Sequence, residues 1–193
     1  MNRDRLTALT DAVLAVIITI MVLEMKAPHG ARLEDLVELW PVFLSYLLSF
    51  IYVAIYWNNH HHFFQLVKTV DGTILWANMH LLFWISTIPF TTAWMGENHF
   101  APLPSALYGL VLFAAGVAYL LLQQAIIGSQ GEESALKQAI GKDWKGKVSA
   151  VLYFCAIVST FFALWLAQVI YVAVAVLWLV PDRRIERSLQ PDT

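Results

Sequence analysis

Charged side chains are scarce in this sequence: Asp, Glu, Lys and Arg make up 13% of its 193 residues, against about 25% in ordinary globular domains. Cysteine occurs once, at Cys155, which excludes an intrachain disulfide and is typical of a small packing residue. The net charge of −2 gives no electrostatic reason to expect a nucleic-acid partner. Since phosphate-binding loops, nucleophile elbows and paired catalytic carboxylates are also missing, the sequence argues against an enzyme.

Hydrophobic residues, in contrast, make up 59% of the chain and gather in long runs. A membrane-spanning helix needs about 20 mostly apolar residues. The runs predict an all-α membrane protein in which residues 1–193 form a single domain of six spanning helices. The predicted spans are residues 6–25, 39–62, 72–95, 103–127, 146–162 and 165–181. We expect no cleavable signal peptide, because the first run continues without a small-residue cleavage site.

Residues 148–180 form one uncharged block that could be one helix or two. A single helix of that length would be about 50 Å long, against a hydrocarbon core of about 30 Å. With six spans, ten Lys and Arg residues lie on one side and only Lys26 and Arg32 on the other. Five spans would divide these twelve residues seven to five. The positive-inside rule therefore favours six spans with both termini cytoplasmic.

The first apolar run, residues 5–24, reads R-L-T-A-L-T-D-A-V-L-A-V-I-I-T-I-M-V-L-E and carries Asp11 near its start. A carboxylate at membrane depth costs about 2.5–3.5 kcal/mol, so we expect Asp11 to face protein or water. One interpretation is structural: Asp11 forms an ion pair with Arg5 or a hydrogen-bond hub. The alternative is a proton or ion relay, which intramembrane carboxylates often mark.

Val16, Ile20 and Leu23 share one face of this helix at i, i+4 and i+7, with Thr19 beside them. At about 100° per residue, Asp11 points roughly 140° away from Val16. An apolar stripe of this kind is common in lipid contact and in ordinary helix packing. It could also form a pore constriction that gates by dewetting, and spacing alone does not separate these interpretations.

The motif R-x-x-x-L-T-D, followed by an Ala-, Ile- and Leu-rich helix, resembles the first-helix signature of the transmembrane protein 175 family of potassium channels. That signature usually reads R-x-x-x-F-S-D, so Leu9 and Thr10 are mild departures. The W-N-N-H-H-H stretch ending the second span and P-D-R-R-I-E after the last are weaker parts of the resemblance. The absence of a T-V-G-Y-G loop is consistent with a channel that lacks the usual potassium filter.

The resemblance implies a homotetramer in the lipid bilayer, with four first helices around a pore that conducts K⁺ with modest selectivity and needs no cofactor. Position by position, it implies the narrowest ring at Val16, further layers at Ile20 and Leu23, and a pore-adjacent hydroxyl at Thr19. Val16 is smaller than the Ile or Leu usual there, which predicts a leakier pore or a seal at Ile20. The structural motif is Arg5, Thr10 and Asp11.

Polar residues of the second and third helices are expected to brace the pore helix, and the candidates are Trp57, Asn58, His61, Asn78 and His80. His60, His61 and His62 are unsuited to a metal site, because consecutive helical residues point about 100° apart.

Two other functions remain open: a proton- or ion-coupled transporter using Asp11, and a structural or lipid-binding protein without conduction. The expected location is a bacterial plasma membrane, as a multi-pass protein.

Overall fold

The computed structural model describes residues 2–67, 69–131, 134, 136–137 and 143–179. Within these ranges the chain is helical and contains no strand, as the all-α prediction requires. The predicted end of the last span at residue 181 and the P-D-R-R-I-E segment lie outside the described residues. The described helices are α1 (Arg3–Leu23), α2 (Leu33–Val37), α3 (Trp40–Gln65), α4 (Gly72–Ser86), α5 (Ile88–Glu97), α6 (Pro102–Gln130), α7 (Trp144–Ser159) and α8 (Leu164–Leu179).

Four segments of the described chain are long and apolar enough to cross a membrane: Arg3–Leu23, Trp40–Gln65, Gly72–Glu97 and Pro102–Gln130. The third of them consists of α4 and α5 in sequence. Helices α7 and α8 have 16 residues each, about 24 Å at 1.5 Å per residue, which is shorter than the hydrocarbon core of about 30 Å. The chain is a multi-pass membrane protein.

The break between α4 and α5 follows from Pro89. Proline lacks an N–H and its ring clashes with the carbonyl four residues earlier, so a helix cannot pass through it undisturbed. Thr87 lies at the break, and its backbone N–H bonds Trp84 O at 3.2 Å in a tighter turn. The helix resumes with Thr91 N donating to Thr87 O at 3.3 Å. The predicted kink in the third span thus takes the form of two consecutive helices.

The uncharged block of residues 148–180 turns at residues 160–163, although no Gly or Pro marks the turn. The Ser159 hydroxyl donates to Ala156 O at 2.8 Å, and the Thr160 hydroxyl donates to Ile157 O at 2.7 Å. Hydroxyls that bond backbone carbonyls compete with helix continuation. Helices α7 and α8 then run antiparallel, because Trp178 near the end of α8 donates to Ser149 near the start of α7 at 2.8 Å.

Helix α6 packs against α4, α5, α7 and α8, while α1 packs against α3, α4 and α5. The contact between α6 and α8 is close at Gly109, where an added Cβ would overlap the Tyr171 hydroxyl. That hydroxyl donates to Ser105 O at 3.0 Å. Helix α1 therefore lies at one side of the bundle, with one face against the other helices and one face free.

Candidate pore helix and its bracing contacts

Helix α1 has two distinct faces. The face against the bundle is buried and repeats every three or four residues, at Leu6, Thr10, Leu14, Ile17 and Met21. The opposite face is exposed on the protomer: Val16 is 57% exposed, Ile20 40% and Leu23 73%. The three residues of the apolar stripe therefore contribute little to the core of their own subunit.

The exposed face of α1 also carries small and hydroxylated residues. Thr19 lies on it, and its hydroxyl donates to Ala15 O one turn earlier at 2.9 Å. This bond uses the hydroxyl proton and leaves the Thr19 oxygen able to accept a hydrogen bond or contact a cation. Ala8, Ala12 and Ala15 are exposed towards the start of the helix, together with Leu9, which is 42% exposed.

Asp11 is exposed on the protomer and is held by Trp57 of α3. The indole Nε1 donates to Asp11 Oδ1 at 2.9 Å. The Trp57 ring in turn stacks on His61, with centroids 5.9 Å apart and an interplanar angle of 24°. His61 accepts a hydrogen bond from Gln65 Nε2 at 2.8 Å. Within the described ranges the carboxylate thus has one direct hydrogen-bond partner, an indole N–H.

No ion pair joins Arg5 to Asp11 among the described residues, contrary to one of the two structural roles considered for Asp11. The two residues are six apart, so at about 100° per residue their side chains diverge by roughly 120° around the helix. Asp11 is instead a hydrogen-bond acceptor for α3, and Arg5 is exposed.

A second set of contacts holds α1 from its buried side. Thr10 is 1% exposed, and its hydroxyl accepts a hydrogen bond from Asn78 Nδ2 of α4 at 3.0 Å. Asn78 Oδ1 lies 2.8 Å from His60 Nε2 of α3. Since an amide oxygen only accepts, His60 Nε2 carries the proton. Three buried polar side chains from three helices therefore form one chain, His60–Asn78–Thr10.

His60 was not among the bracing candidates predicted from the sequence. The feature that could have identified His60 is its place in the buried repeat of α3. This repeat occurs at intervals of three or four residues, at Ser49, Val53, Tyr56, His60 and Phe63. A histidine in phase with such a repeat is directed inwards. Its ring also stacks on Phe64, with centroids 4.3 Å apart.

The bracing candidates occupy different places in the structure. Trp57 and Asn78 bond α1 directly. His61 makes no hydrogen bond to α1 within the part of the chain that the structure describes, and it stacks on Trp57. His80 is exposed and accepts a hydrogen bond from Trp84 of its own helix at 3.0 Å. Asn58 is half-buried and has no hydrogen bond within the described part of the chain.

Comparison with known proteins places this arrangement in a family. The family model described as endosomal/lysosomal potassium channel TMEM175 matches residues 5–89, which contain nearly all of α1, the whole of α3 and α4, and all the bracing contacts above. A protein from Chryseobacterium sp. (strain P1-3), named as a potassium channel, is 51% identical over 190 residues, covering 98% of this chain and 99% of that protein. The chain belongs to the TMEM175 family. This is a family of ion channels and not of enzymes.

Other TMEM175 proteins agree in fold and differ in size. The crystal structure of a lysosomal potassium-selective channel TMEM175 homolog from Chamaesiphon minutus superposes with a TM-score of 0.81 at 27% identity, covering 97% of this chain and 98% of that chain. The human endosomal/lysosomal proton channel TMEM175 is 27% identical over 124 residues, which are 62% of this chain and 25% of the human protein. This TMEM175 chain therefore matches the Chryseobacterium protein and the Chamaesiphon minutus structure nearly end to end.

Proposed function

We propose that this TMEM175 protein is a potassium channel with modest selectivity over sodium, built as a homotetramer with α1 of each subunit around a central pore. The names of the bacterial relatives, which are potassium channels, support the permeant ion. The similarity to the Chamaesiphon minutus channel along nearly the whole chain supports a shared architecture. No cofactor takes part in this proposal, because conduction is passive.

The observation that carries the proposal is the free face of α1. It contains Asp11, and a carboxylate directed into lipid costs about 2.5–3.5 kcal/mol. A single hydrogen bond from Trp57 at 2.9 Å satisfies only part of the capacity of a carboxylate, which can accept about four. A protomer alone in the bilayer would present this face to acyl chains, whereas an assembly around α1 presents it to neighbouring subunits and water.

In the proposed pore, Val16, Ile20 and Leu23 form successive rings and Val16 forms the narrowest one. Rings of bulky aliphatic side chains exclude water, so ions pass when the rings widen and become wetted. The Thr19 hydroxyl, which donates to Ala15 O, offers its oxygen to a partly dehydrated cation next to the constriction. Selectivity from one hydroxyl layer and apolar rings would be modest, because no complete cage of carbonyl oxygens replaces the hydration shell.

The contacts of Thr10 and Asp11 fix the pore helix in this proposal. The buried chain His60–Asn78–Thr10 sets the rotation of α1, and the Trp57–Asp11 bond holds its cytoplasmic end. A rotation of α1 by one residue, about 100°, would remove Val16 from the axis and break these bonds. Arg5 contributes as an exposed cation at the start of the helix.

We further propose six membrane crossings in one domain of residues 1–193, with both termini in the cytoplasm of a bacterial cell. Helices α4 and α5 together make the third crossing, and α7 and α8 make the last two. The start of α1 and the end of α3 lie together through the Asp11–Trp57 bond, and the other ends of α1 and α5 meet at the ion pair of Lys26 with Glu97 at 3.2 Å. These pairings fit helices that alternate in direction across the bilayer.

Flux from purified protein in liposomes tests the function, with the detergent-solubilised mass recorded alongside. We expect K⁺ efflux down its gradient above that from empty vesicles, a lower Na⁺ flux, no saturable exchange, and a mass of four times 21.8 kDa after correction for detergent. No flux above empty vesicles would instead support a structural or lipid-binding role. A monomeric mass with full conduction would exclude the shared pore.

A second candidate is proton movement at Asp11, either through a channel or in an ion-coupled transporter. Two observations favour it: vertebrate relatives are named as proton channels, and Asp11 shares an open cleft with His61 and Asp4. Asp11→Asn keeps the acceptor for Trp57 and removes the titrating group. Loss of a pH-driven flux in this variant, with K⁺ flux retained, would support the relay. Equal changes in both fluxes would support a structural role.

A further inference from the structure

A small cavity lies between α3, α6, α7 and α8, away from the proposed pore. Its volume is about 40 Å³. Side chains of all four helices line it, and most of the large ones are aromatic: Tyr52, Tyr56, Phe113, Tyr119, Tyr153 and Trp178. Gly116 of α6 also lines it, where an added Cβ would have ordinary contact with Tyr153 at 3.8 Å.

Two tyrosine hydroxyls at this cavity have no hydrogen-bond partner among the described residues. Tyr119 is 5% exposed and its Oη is buried without a partner. Tyr56 is 8% exposed, and its hydroxyl likewise makes no bond to a described residue. Other buried tyrosines of the bundle are paired: Tyr52 donates to Tyr171 O at 2.6 Å, and Tyr108 lies 3.0 Å from Ser49 Oγ. Both unpaired hydroxyls therefore belong to residues that line the cavity.

Two further polar groups at the cavity have spare bonding capacity. Ser149 Oγ accepts from Trp178 Nε1 at 2.8 Å, which leaves its own proton available. Asn59 Nδ2 donates to Ile55 O at 2.8 Å, and its carbonyl oxygen accepts no bond from a described residue. A membrane interior supplies no solvent to satisfy such groups, and each unsatisfied one is destabilising.

We propose that this cavity is a binding site for ordered water, holding about three molecules that bond Tyr119, Tyr56, Asn59 and Ser149. A water needs roughly 10–15 Å³ of such volume and two to four polar partners. The cavity has room for this number of molecules, and four of its lining residues carry the polar groups named above. The proposal is independent of conduction, because none of these residues belongs to α1.

Tyrosine-to-phenylalanine variants of the intact assembly test the site. Tyr119→Phe keeps the ring, which stacks on Phe63, and removes only the hydroxyl. If water bonds Oη, the melting temperature falls by about 2–4 °C, as for loss of one buried hydrogen bond. Tyr108→Phe, which loses a direct bond to Ser49, is the positive control, and the half-buried Tyr46→Phe is the control without a predicted loss. An unchanged or raised melting temperature in Tyr119→Phe would overturn the proposal.

A second pair of variants tests the volume itself. Gly116→Ala places a methyl group in the cavity, and Gly128→Ala places one in open space on the same helix. Both gain helix propensity. If water is displaced, Gly116→Ala melts at a lower temperature than Gly128→Ala, whereas filling a dry void makes Gly116→Ala melt at a higher temperature.

A cryo-electron microscopy map of the assembly at about 2 Å supplies a direct test. Density within hydrogen-bond distance of Tyr119 Oη supports the water site, and absence of that density contradicts the proposal.

Discussion

Thr10 and Asp11 are neighbours in the sequence, yet they lie in opposite environments. Thr10 is buried and belongs to a hydrogen-bond chain that joins α1, α3 and α4. Asp11 is exposed on the protomer and bonds a single indole N–H. Both residues hold the same turn of α1 through hydrogen bonds: Thr10 bonds Asn78 inside the subunit, and Asp11 bonds Trp57 at its surface.

The buried hydrogen bond of Thr10 and the surface hydrogen bond of Asp11 are expected to serve different purposes, the first in folding of the subunit and the second in assembly of subunits. A broken bond inside the subunit leaves polar groups buried without partners, which destabilises the fold itself. A broken bond at the surface leaves groups that water or a neighbouring subunit can satisfy. We therefore expect substitutions at the buried chain to lower the stability of the subunit, and substitutions at the Trp57–Asp11 pair to act mainly on how subunits meet.

The largest effect is expected for Asn78→Leu. Leucine has similar volume but no polar atom, so the Thr10 hydroxyl and His60 Nε2 both lose a buried partner. At about 1–3 kcal/mol for each of the two unsatisfied groups, the free energy of unfolding should fall by about 2–6 kcal/mol. The measurement is the yield and melting temperature of the subunit in detergent.

Asn58→Leu is the matched control, since Asn58 is half-buried on α3 and has no hydrogen bond within the described residues. It should change the melting temperature little. Equal losses in the two variants would show that the buried chain has no special part in holding α1.

The sequence allowed the all-α class and the apolar segments to be predicted, because length and hydropathy determine them. It also indicated the kink near Pro89, since the effect of proline on a helix is local. The turn at residues 160–163 was harder to position, because hydroxyls that bond backbone carbonyls occur both within helices and at their ends.

Side-chain pairing was predicted less completely. Asn78 and Trp57 were expected to contact α1, and they bond it directly. His60 was missed in favour of His61, although only His60 is in phase with the buried repeat of α3. Which of two adjacent histidines faces inwards depends on the rotation of α3, and packing against α1, α5 and α8 decides that rotation. Whether Arg5 and Asp11 could form an ion pair depended in the same way on the direction of each side chain around α1.

An intermediate effect is expected for Trp57→Phe. Phenylalanine keeps an aromatic ring to stack on His61 and removes the indole N–H that donates to Asp11. A hydrogen bond to a charged group contributes about 1.5–3 kcal/mol when buried and less when exposed, so subunit stability should fall by about 1 kcal/mol. The tetramer fraction at limiting protein concentration should fall more clearly, as measured by light scattering in detergent.

Asp11→Ala removes the other partner of the same bond and should resemble Trp57→Phe in tetramer fraction while K⁺ selectivity per assembled channel is kept. A double variant that is no worse than either single variant would assign the loss to their mutual bond. Additive losses would show that the two residues act on assembly independently of their mutual bond. A normal tetramer with altered pH dependence would instead remove the pair from the assembly and favour the proton relay.

The smallest effect on stability, and the sharpest on conduction, is expected for Val16→Ala. Val16 is 57% exposed on the protomer, so truncation should change the free energy of unfolding by no more than about 0.5 kcal/mol.

One leucine and one isoleucine on α1 serve as references for that measurement. Leu14→Ala, on the buried face, should lower the free energy of unfolding by about 2–5 kcal/mol. Ile20→Ala should resemble Val16→Ala in stability. The difference between the two faces of α1 is then read directly from the melting temperatures.

Flux in liposomes supplies the functional half of the comparison. If Val16 forms the narrowest ring, its truncation widens the throat in all subunits at once, and both K⁺ leak and Na⁺ permeation rise several-fold. If Ile20 forms the seal, Ile20→Ala has the larger effect. Val22→Ala is the control, since Val22 is also exposed but lies about 120° from Val16 around the helix. Flux that is unchanged in both Val16→Ala and Ile20→Ala would place the stripe in lipid, because a pore-lining ring cannot lose its methyl groups without changing the width of the throat.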